Sequence, residues 1–361
     1  METNNSNDSV DVAGIIEQRA NINWRRFVER VNDSSRVLLT AHRRPDGDCL
    51  GSELAMFHIL TSLGKDVRIL NHNQLPPSLS FLDPLCLVMG LESITEVVRE
   101  WLLGVDLIII LDTGVWSQLG DMGQIVRESG VIKLVLDHHE SWDDLGAEWF
   151  VDSLAEATGI LVVRAADELG VKLSYEIAFS LFVSIVTDTG WFVYSSVNSD
   201  TFRTAARLID AGVVPAAVYK ELYERDSIGR LRLMGRTLAG VESFFDGRLM
   251  FAKVMLDDFK ITGADSSETD GLSSIILRVK DSQVSLLITE LDDGDFKLSF
   301  RSRNEIDCNK IARQFSGGGH KKAAGATSKL TFEETKKQAL KAIENALNNQ
   351  QQEKQEQQEK L

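Results

Sequence analysis

Between residues 35 and 190 the chain alternates short apolar runs with longer segments in which apolar residues recur every three or four positions. The short runs predict strands at 35–40, 65–70, 107–111 and 131–136. The recurring pattern predicts helices at 48–64, 153–170 and 175–190. Because this alternation is typical of strand–helix–strand units, we expect an α/β domain with a mainly parallel sheet.

The pattern changes after residue 246. Apolar runs predict strands at 248–256, 282–291 and 295–303, and the DDGD sequence between the last two favours a hairpin. Helical patterns follow at 267–280, 307–315 and 331–347. These elements predict a second, smaller α/β unit.

Composition at the two ends differs from that of the middle, because both ends are polar and can bury little surface. We therefore expect a disordered or partly helical amino terminus, a large domain, a helical connector, a small domain and a disordered tail rich in Gln, Glu and Lys. The expected boundaries are 1–19, 20–215, 216–245, 246–346 and 347–361.

Charge and cysteine content narrow the possible partners. The net charge of −15 argues against long duplex DNA as a ligand, although a short anionic substrate remains possible where cations lie between carboxylates. The three cysteines are scattered, which is typical of reduced thiols in a cytoplasmic protein. The apolar runs are too short to span a bilayer, so we expect no membrane contact.

Ionisable residues cluster where the predicted elements of the first domain end. They are His42, Asp46, Asp48, Asp112, Asp137, His138, His139 and Asp188. The carboxyl ends of parallel strands meet at one edge of a sheet, where so many carboxylates would repel one another. Each cluster alone also fits ordinary turn chemistry, but together they favour a site for divalent cations. Aspartate with neutral histidine suits Mn²⁺, with Mg²⁺, Co²⁺ or Fe²⁺ as competitors.

The motifs AHRRPDGDCLGS, LDTG, LDHH and TDTGWF resemble the four motifs of the DHH phosphoesterase family. RSRNEID and SGGGHKKAAG resemble the associated C-terminal domain of its RecJ-like subfamily, and the resemblance covers about residues 20–345. Length and motif order are similar to the bacterial nano-RNase type that also dephosphorylates 3′-phosphoadenosine 5′-phosphate (pAp). The resemblance implies a parallel-sheet DHH domain, a smaller α/β DHH-associated domain and an active site in the cleft between them.

The family pattern implies two Mn²⁺ ions, which together lower the pKa of water and clamp phosphate oxygens. One ion would be held by His42, Asp46 and Asp112. The other would be held by Asp48, Asp112, His138 and Asp188. Two further residues are implied in catalysis. His139 would contact the phosphate or the transition state, and Asp137 would orient His138.

In the second domain the family pattern implies a site for the far end of the substrate. Its residues are Arg301, Ser302, Gly317, Gly318, Gly319 and His320. A flexible loop before a strand is the alternative interpretation of the glycines. The sequence departs from the pattern twice. Ser316 stands where relatives usually have a fourth glycine, and Ala157-Thr158 stands where they often have Ser-Thr.

The expected function is a Mn²⁺-dependent phosphoric ester hydrolase. It would degrade very short oligoribonucleotides to mononucleotides, as an exoribonuclease, and convert pAp to AMP, as a 3′(2′),5′-bisphosphate nucleotidase. One alternative is a soluble phosphodiesterase for linear or cyclic dinucleotides such as pApA. Another is a nucleotide-binding module without catalysis. The oligomeric state stays open, with a homodimer as one option.

Overall fold

The computed structural model describes residues 22–303, 306–319 and 321–358. The chain forms two compact units, which we call unit 1 (Met1–Glu224) and unit 2 (Arg225–Leu361). The predicted amino-terminal segment 1–19 lies outside the described residues.

Unit 1 is built on a six-stranded sheet in which every strand pair is parallel. Its strands are β1 Arg36–Thr40, β2 Asp66–Asn71, β3 Val88–Gly90, β4 Leu107–Leu111, β5 Ile132–Asp137 and β6 Glu148–Val151. The spatial order is β3-β2-β1-β4-β5-β6. Strands β2 and β3 are added on one side of β1 and strands β4 to β6 on the other, so the strand order reverses between β1 and β4. Ligands in open parallel sheets bind at this reversal, outside the carboxyl ends of the strands. The sheet confirms the predicted α/β domain.

Helices cover both faces of this sheet. They are α1 Trp24–Asp33, α2 Gly47–Ser62, α3 Glu96–Leu102, α4 Trp116–Leu119, α5 Met122–Glu128, α6 Thr158–Glu168, α7 Tyr175–Asp188, α8 Ser199–Asp210 and α9 Pro215–Tyr223, with 3-10 helices at Pro77–Leu82 and Leu91–Ser93. Apolar residues of α2, α6 and α7 form one core against one face of the sheet. A smaller cluster that includes Trp101 and Leu119 fills the other face.

Unit 2 contains a second six-stranded sheet, in the order β11-β12-β10-β9-β8-β7. Its elements are α10 Ile228–Ala239, β7 Glu242–Phe244, β8 Leu249–Val254, α11 Leu256–Thr262, α12 Leu272–Ile276, β9 Val284–Glu290, β10 Phe296–Ser302, α13 Cys308–Arg313, β11 Gly318–Gly319, β12 Ala323–Ser328 and α14 Phe332–Gln358, with a 3-10 helix at Ser266–Thr269. The pair β8–β9 is parallel and the other pairs are antiparallel, including the predicted hairpin β9–β10.

Three elements differ from the prediction. The segment 216–245, expected to be a connector, is divided between the units at residue 224, because Leu233 of α10 packs into a core cluster of unit 2. The expected helix 267–280 is interrupted at Gly271, whose φ of 83° lies in the left-handed region. The tail expected to be disordered from 347 continues α14 to Gln358, since Gln, Glu and Lys favour helix.

Within the described residues, no helix combines the length and apolar character needed to cross a bilayer.

Candidate metal centre

The turn from β1 to α2 supplies the first three predicted ligands. Asp46 caps α2, because its Oδ1 accepts the backbone amides of Asp48 and Cys49, each at 3.1 Å. His42 donates its Nδ1–H to the carbonyl oxygen of Arg43 at 2.9 Å. This bond leaves the lone pair on the Nε2 atom of His42, which is the atom that can bind a metal.

The Nε2 atom of His42 faces two carboxylates. It lies 3.2 Å from Oδ2 of Asp112, which follows β4, and 3.8 Å from Oδ1 of Asp46. The φ of Asp112 is 60°, an uncommon value for a residue other than glycine. Asp112 is also almost fully buried. This arrangement gathers one imidazole and two carboxylates around a single point.

A second group forms at the end of β5 around His138. The ring donates its Nδ1–H to the carbonyl oxygen of Ala155 at 3.1 Å, so its Nε2 carries the lone pair. That Nε2 faces oxygens of three aspartates. These are Asp48 at 3.6 Å, Asp112 at 3.6 Å and Asp188, at the end of α7, at 3.5 Å.

The structure therefore brings all six predicted metal ligands together. Within the described residues, three sets of ligand atoms lie within 4.8 Å of one another. They are His42–Asp46–Asp112, Asp48–His138–Asp188 and Asp112–His138–His139. Asp112 uses Oδ2 toward His42 and Oδ1 toward His138, so it can serve two cations at once.

The electrostatics of this cluster favour a bound cation. Burial raises the pKa of the Asp112 carboxyl well above its usual range, and the charge of Asp48 raises it further. Burial, again with the charge of Asp48, raises the pKa of Asp188 to about 6. Burial works to lower the pKa of His138, but the charges of Asp48 and Asp188 outweigh it and raise that pKa. Divalent cations would relieve this repulsion, so the residues fit the implied metals.

Asp48 is held by four hydrogen bonds that its sequence motif does not predict. It accepts the backbone amides of Thr158 at 2.8 Å and Gly159 at 3.1 Å, at the start of α6. It also accepts the hydroxyls of Ser184 at 2.5 Å and Ser52 at 3.2 Å. A carboxylate bonded in this way stays in one orientation.

Thr158 also reaches the shared ligand. Its hydroxyl donates to Oδ1 of Asp112 at 2.9 Å. The threonine of Ala157-Thr158 is thus part of the support of the site, and the signal for this role was its position where relatives often have Ser-Thr.

The prediction that Asp137 orients His138 is wrong. Oδ1 of Asp137 accepts the Nδ1–H of His139 at 2.8 Å and the backbone amide of His139 at 3.1 Å. His138 is oriented instead by Ala155. Burial works to lower the pKa of His139, but the hydrogen bond to Asp137 and the charge of Asp112 raise it. Asp137 therefore acts on the site through His139.

A buried pair that no sequence motif marks lies behind the first ligand. Asn71, the last residue of β2, accepts the backbone amide of Ala41 at 2.9 Å and donates to Oε2 of Glu53 at 2.7 Å. The other oxygen of Glu53 has no hydrogen-bond partner among the described residues. Burial raises the pKa of Glu53 to about 8, against opposing effects of Asn71 and His42. This pair fixes the backbone next to His42.

In unit 2 the structure describes all the predicted substrate residues except His320. Arg301 is part-buried, and within the described part of the chain it pairs with no carboxylate. Ser302, predicted to contact the substrate, is buried instead. Its hydroxyl donates to the carbonyl oxygen of Ile306 at 2.6 Å.

The glycines before residue 320 form an edge strand rather than a loose loop. Gly318 and Gly319 form β11, which pairs with β12. A Cβ atom at Gly317 would lie 2.2 Å from the carbonyl oxygen of Gly325, so close packing against β12 requires glycine there. Ser316, at the departure from the family pattern, has a φ of 57°, which glycine would adopt without strain.

Comparisons with known proteins agree with the motifs. Residues 36–185 match the DHH family, N-terminal domain, and residues 248–349 match the DHHA1 domain. The bifunctional oligoribonuclease and PAP phosphatase NrnA of Thermus thermophilus is 32% identical over 312 residues, which are 86% of this chain and 90% of that protein. The Bacillus subtilis protein of the same name is 28% identical over 296 residues, covering 81% and 88%.

A solved structure is similar over nearly the whole chain. An exopolyphosphatase-related protein from Bacteroides fragilis superposes with a TM-score of 0.83 at 27% identity, covering 90% of this chain and 95% of that one. These matches confirm the resemblance inferred from the motifs. The histidines and aspartates of the centre lie in the matched N-terminal region, apart from Asp188 just beyond it. The chain belongs to the DHH family of phosphoesterases and carries a DHHA1 domain.

Proposed function

We propose that this protein is a Mn²⁺-dependent phosphoesterase that degrades very short oligoribonucleotides to mononucleotides and converts pAp to AMP. The observation that carries this proposal is the sharing of Asp112 between two groups of ligand atoms, one around His42 and one around His138. The names of the Thermus and Bacillus relatives support the choice of substrates.

The ligand chemistry supports two cations. His42, Asp46 and Asp112 would hold one, and Asp48, Asp112, His138 and Asp188 would hold the other. Mn²⁺ suits this mixed set, with Mg²⁺, Co²⁺ and Fe²⁺ as competitors. When bound, a metal pair supplies a lower pKa for water and positive charge for phosphate oxygens.

Other residues would act on the substrate directly. Asp137 holds the ring of His139 with its Nδ1 3.8 Å from Asp112, where it can contact the phosphate. Arg301 would bind a terminal phosphate through two parallel hydrogen bonds, since it is not committed to a carboxylate among the described residues. Gly317, the β11 residues Gly318 and Gly319, and His320 are the remaining proposed substrate-binding residues.

A substrate series tests the proposal. The protein with Mn²⁺ is incubated with pAp, 5′-phosphorylated dinucleotides, longer RNA, and linear and cyclic forms of one dinucleotide. We expect the fastest release of AMP or phosphate from pAp and the short RNA, and none from any substrate with Asp112→Asn. Absence of release from both pAp and dinucleotides would refute the proposal. A preference for cyclic over linear dinucleotides would favour the phosphodiesterase alternative, and failure to bind metal would favour a non-catalytic module.

A further inference from the structure

Two tryptophans lie beside His139 in unit 1. Trp142 follows the carboxyl end of β5, and Trp149 lies in β6. Their ring centroids are 5.7 Å apart, with ring planes inclined by 57°. Together with Asp137, His139 and Val151 they line an open cavity of about 120 Å³. The cavity is therefore lined by both tryptophans and by the hydrogen-bonded Asp137–His139 pair.

The two rings differ in what holds them. Trp149 packs against the apolar cluster on its face of the sheet, as a core residue would. The side chain of Trp142 is 68% exposed, although it is the largest apolar side chain in its loop. A role in the core explains the position of Trp149. It does not explain Trp142, because most of the surface of Trp142 is exposed to solvent.

The loop that carries Trp142 is fixed to the end of β4. Trp142 forms an isolated parallel bridge with Gly114, and the next amide, of Asp143, donates to the carbonyl oxygen of Gly114 at 2.8 Å. The carboxylate of Asp143 accepts the backbone amide of Trp116 at 2.8 Å. Trp142 is thus held out in a defined position, which lowers the entropy lost when a ligand binds to it.

Gly114, the glycine of the LDTG motif, makes room for this arrangement. A Cβ atom there would lie 2.7 Å from the ring of Trp149 and 3.2 Å from the Cβ of Trp142. The φ of Gly114 is not in the left-handed region, so its conformation does not require glycine. Glycine is required there by the close approach of the Trp149 ring and of the Trp142 Cβ atom. The glycine that accommodates the two tryptophans is thus two residues from the shared ligand Asp112.

We propose that Trp142, supported by Trp149, stacks the nucleobase of the nucleotide whose phosphate lies at the metal centre. This inference rests on the proposed function. The cavity is far smaller than the roughly 300–1,000 Å³ of pockets that enclose whole ligands, so it suits one flat ring with its sugar and phosphate outside. Unstacked bases of RNA commonly bind to exposed aromatic side chains. Stacking of this kind tolerates any base, so it gives affinity for nucleotides without sequence preference.

The test compares substrates with and without bases. KM and kcat are measured for a 5′-phosphorylated dinucleotide and for the same backbone lacking both bases. Trp142→Ala should raise KM about 5- to 100-fold for the natural dinucleotide and leave KM for the abasic one unchanged, with kcat preserved for both. Trp142→Phe should restore most of the affinity. Leu85→Ala is a matched control, since Leu85 is 71% exposed and precedes the amino end of β3.

An equal rise in KM for both substrates, or a loss confined to kcat, would overturn the stacking role. Calorimetric titration with AMP and with ribose 5-phosphate separates this inference from the proposed function, because it needs no turnover. If the wild type hydrolyses no nucleotide but Trp142→Ala abolishes its preference for AMP over ribose 5-phosphate, the function fails and the stacking site stands. An unchanged preference in Trp142→Ala refutes the stacking site.

Discussion

The side-chain hydroxyl of Thr158 donates to Oδ1 of Asp112 at 2.9 Å. Asp112 is the residue shared by the ligand group around His42 and the ligand group around His138. The backbone amide of Thr158 donates to Asp48 at 2.8 Å. One residue at the start of α6 therefore orients two carboxylates that belong to the candidate metal centre. The two donors, a hydroxyl and a backbone amide, are not among the predicted metal ligands.

Thr158→Val keeps the shape of the side chain and removes the hydroxyl. We expect Mn²⁺ affinity to fall about 10- to 100-fold, which is typical when a residue that orients a metal ligand is lost. Thr158→Ser keeps the hydroxyl and should bind nearly as well as the wild type. Calorimetric titration with Mn²⁺ measures both variants, and unchanged affinity in Thr158→Val would show that the bond to Asp112 contributes little.

Asp137→Asn distinguishes the two roles considered for Asp137. Because its carboxylate bonds to His139, we expect kcat to fall by about 10-fold or more while Mn²⁺ affinity stays within about 2-fold of the wild type. Turnover of pAp and Mn²⁺ titration on the same preparation measure the two effects. A large loss of metal affinity at preserved kcat would instead support an action on His138.

Glu53→Gln should change how stability depends on pH. The pKa of Glu53 is raised from 4.5 to about 8 by burial, so the native state holds a proton that the unfolded state releases above pH 4.5. The native state therefore loses stability as pH rises from 4.5 to about 8. Because glutamine cannot ionise, the stability of the variant should not fall in this way as pH rises.

Melting temperatures of wild type and Glu53→Gln are compared from pH 4 to pH 9 at one Mn²⁺ concentration. We expect the difference to shift in favour of the variant across that range. A difference that does not change with pH would mean that Glu53 titrates normally in the native state.

Arg301→Ala should weaken substrate binding without slowing the chemical step. A charge-assisted hydrogen bond contributes about 1.5–3 kcal/mol, so we expect KM to rise about 10- to 100-fold at nearly constant kcat. Arg303→Ala is the control, since Arg303 is an exposed arginine two residues further along the same segment. A collapse of kcat with KM unchanged would assign Arg301 to the transition state.

The sequence predicted the framework of unit 1 because its signals are local. The run at 107–111 coincides with β4, and the helix predicted at 48–64 appears as α2 Gly47–Ser62. The six side chains predicted as metal ligands lie together because each is near the end of an element, and parallel strands bring their carboxyl ends to one edge.

The contacts that support those ligands were not predictable in the same way. Ser184 bonds to Asp48 across 136 positions of the chain, and no local pattern marks it. His138 and His139 are neighbours whose rings bond to different partners, Ala155 and Asp137, so adjacency suggested the wrong pair. The contact of Ser184 depends on how α7 packs against α2, which no local pattern specifies.

The strand order β3-β2-β1-β4-β5-β6 has a consequence for the newly made chain. The ligands extend from His42 to Asp188, on both sides of the reversal between β1 and β4. A nascent chain shorter than 188 residues lacks part of the set, and a longer chain completes it only when β1, β4 and β5 are aligned. Cation binding by the complete set would therefore follow the alignment of these strands. Removal of a bound cation by chelation should then lower the thermal stability of unit 1 as a whole.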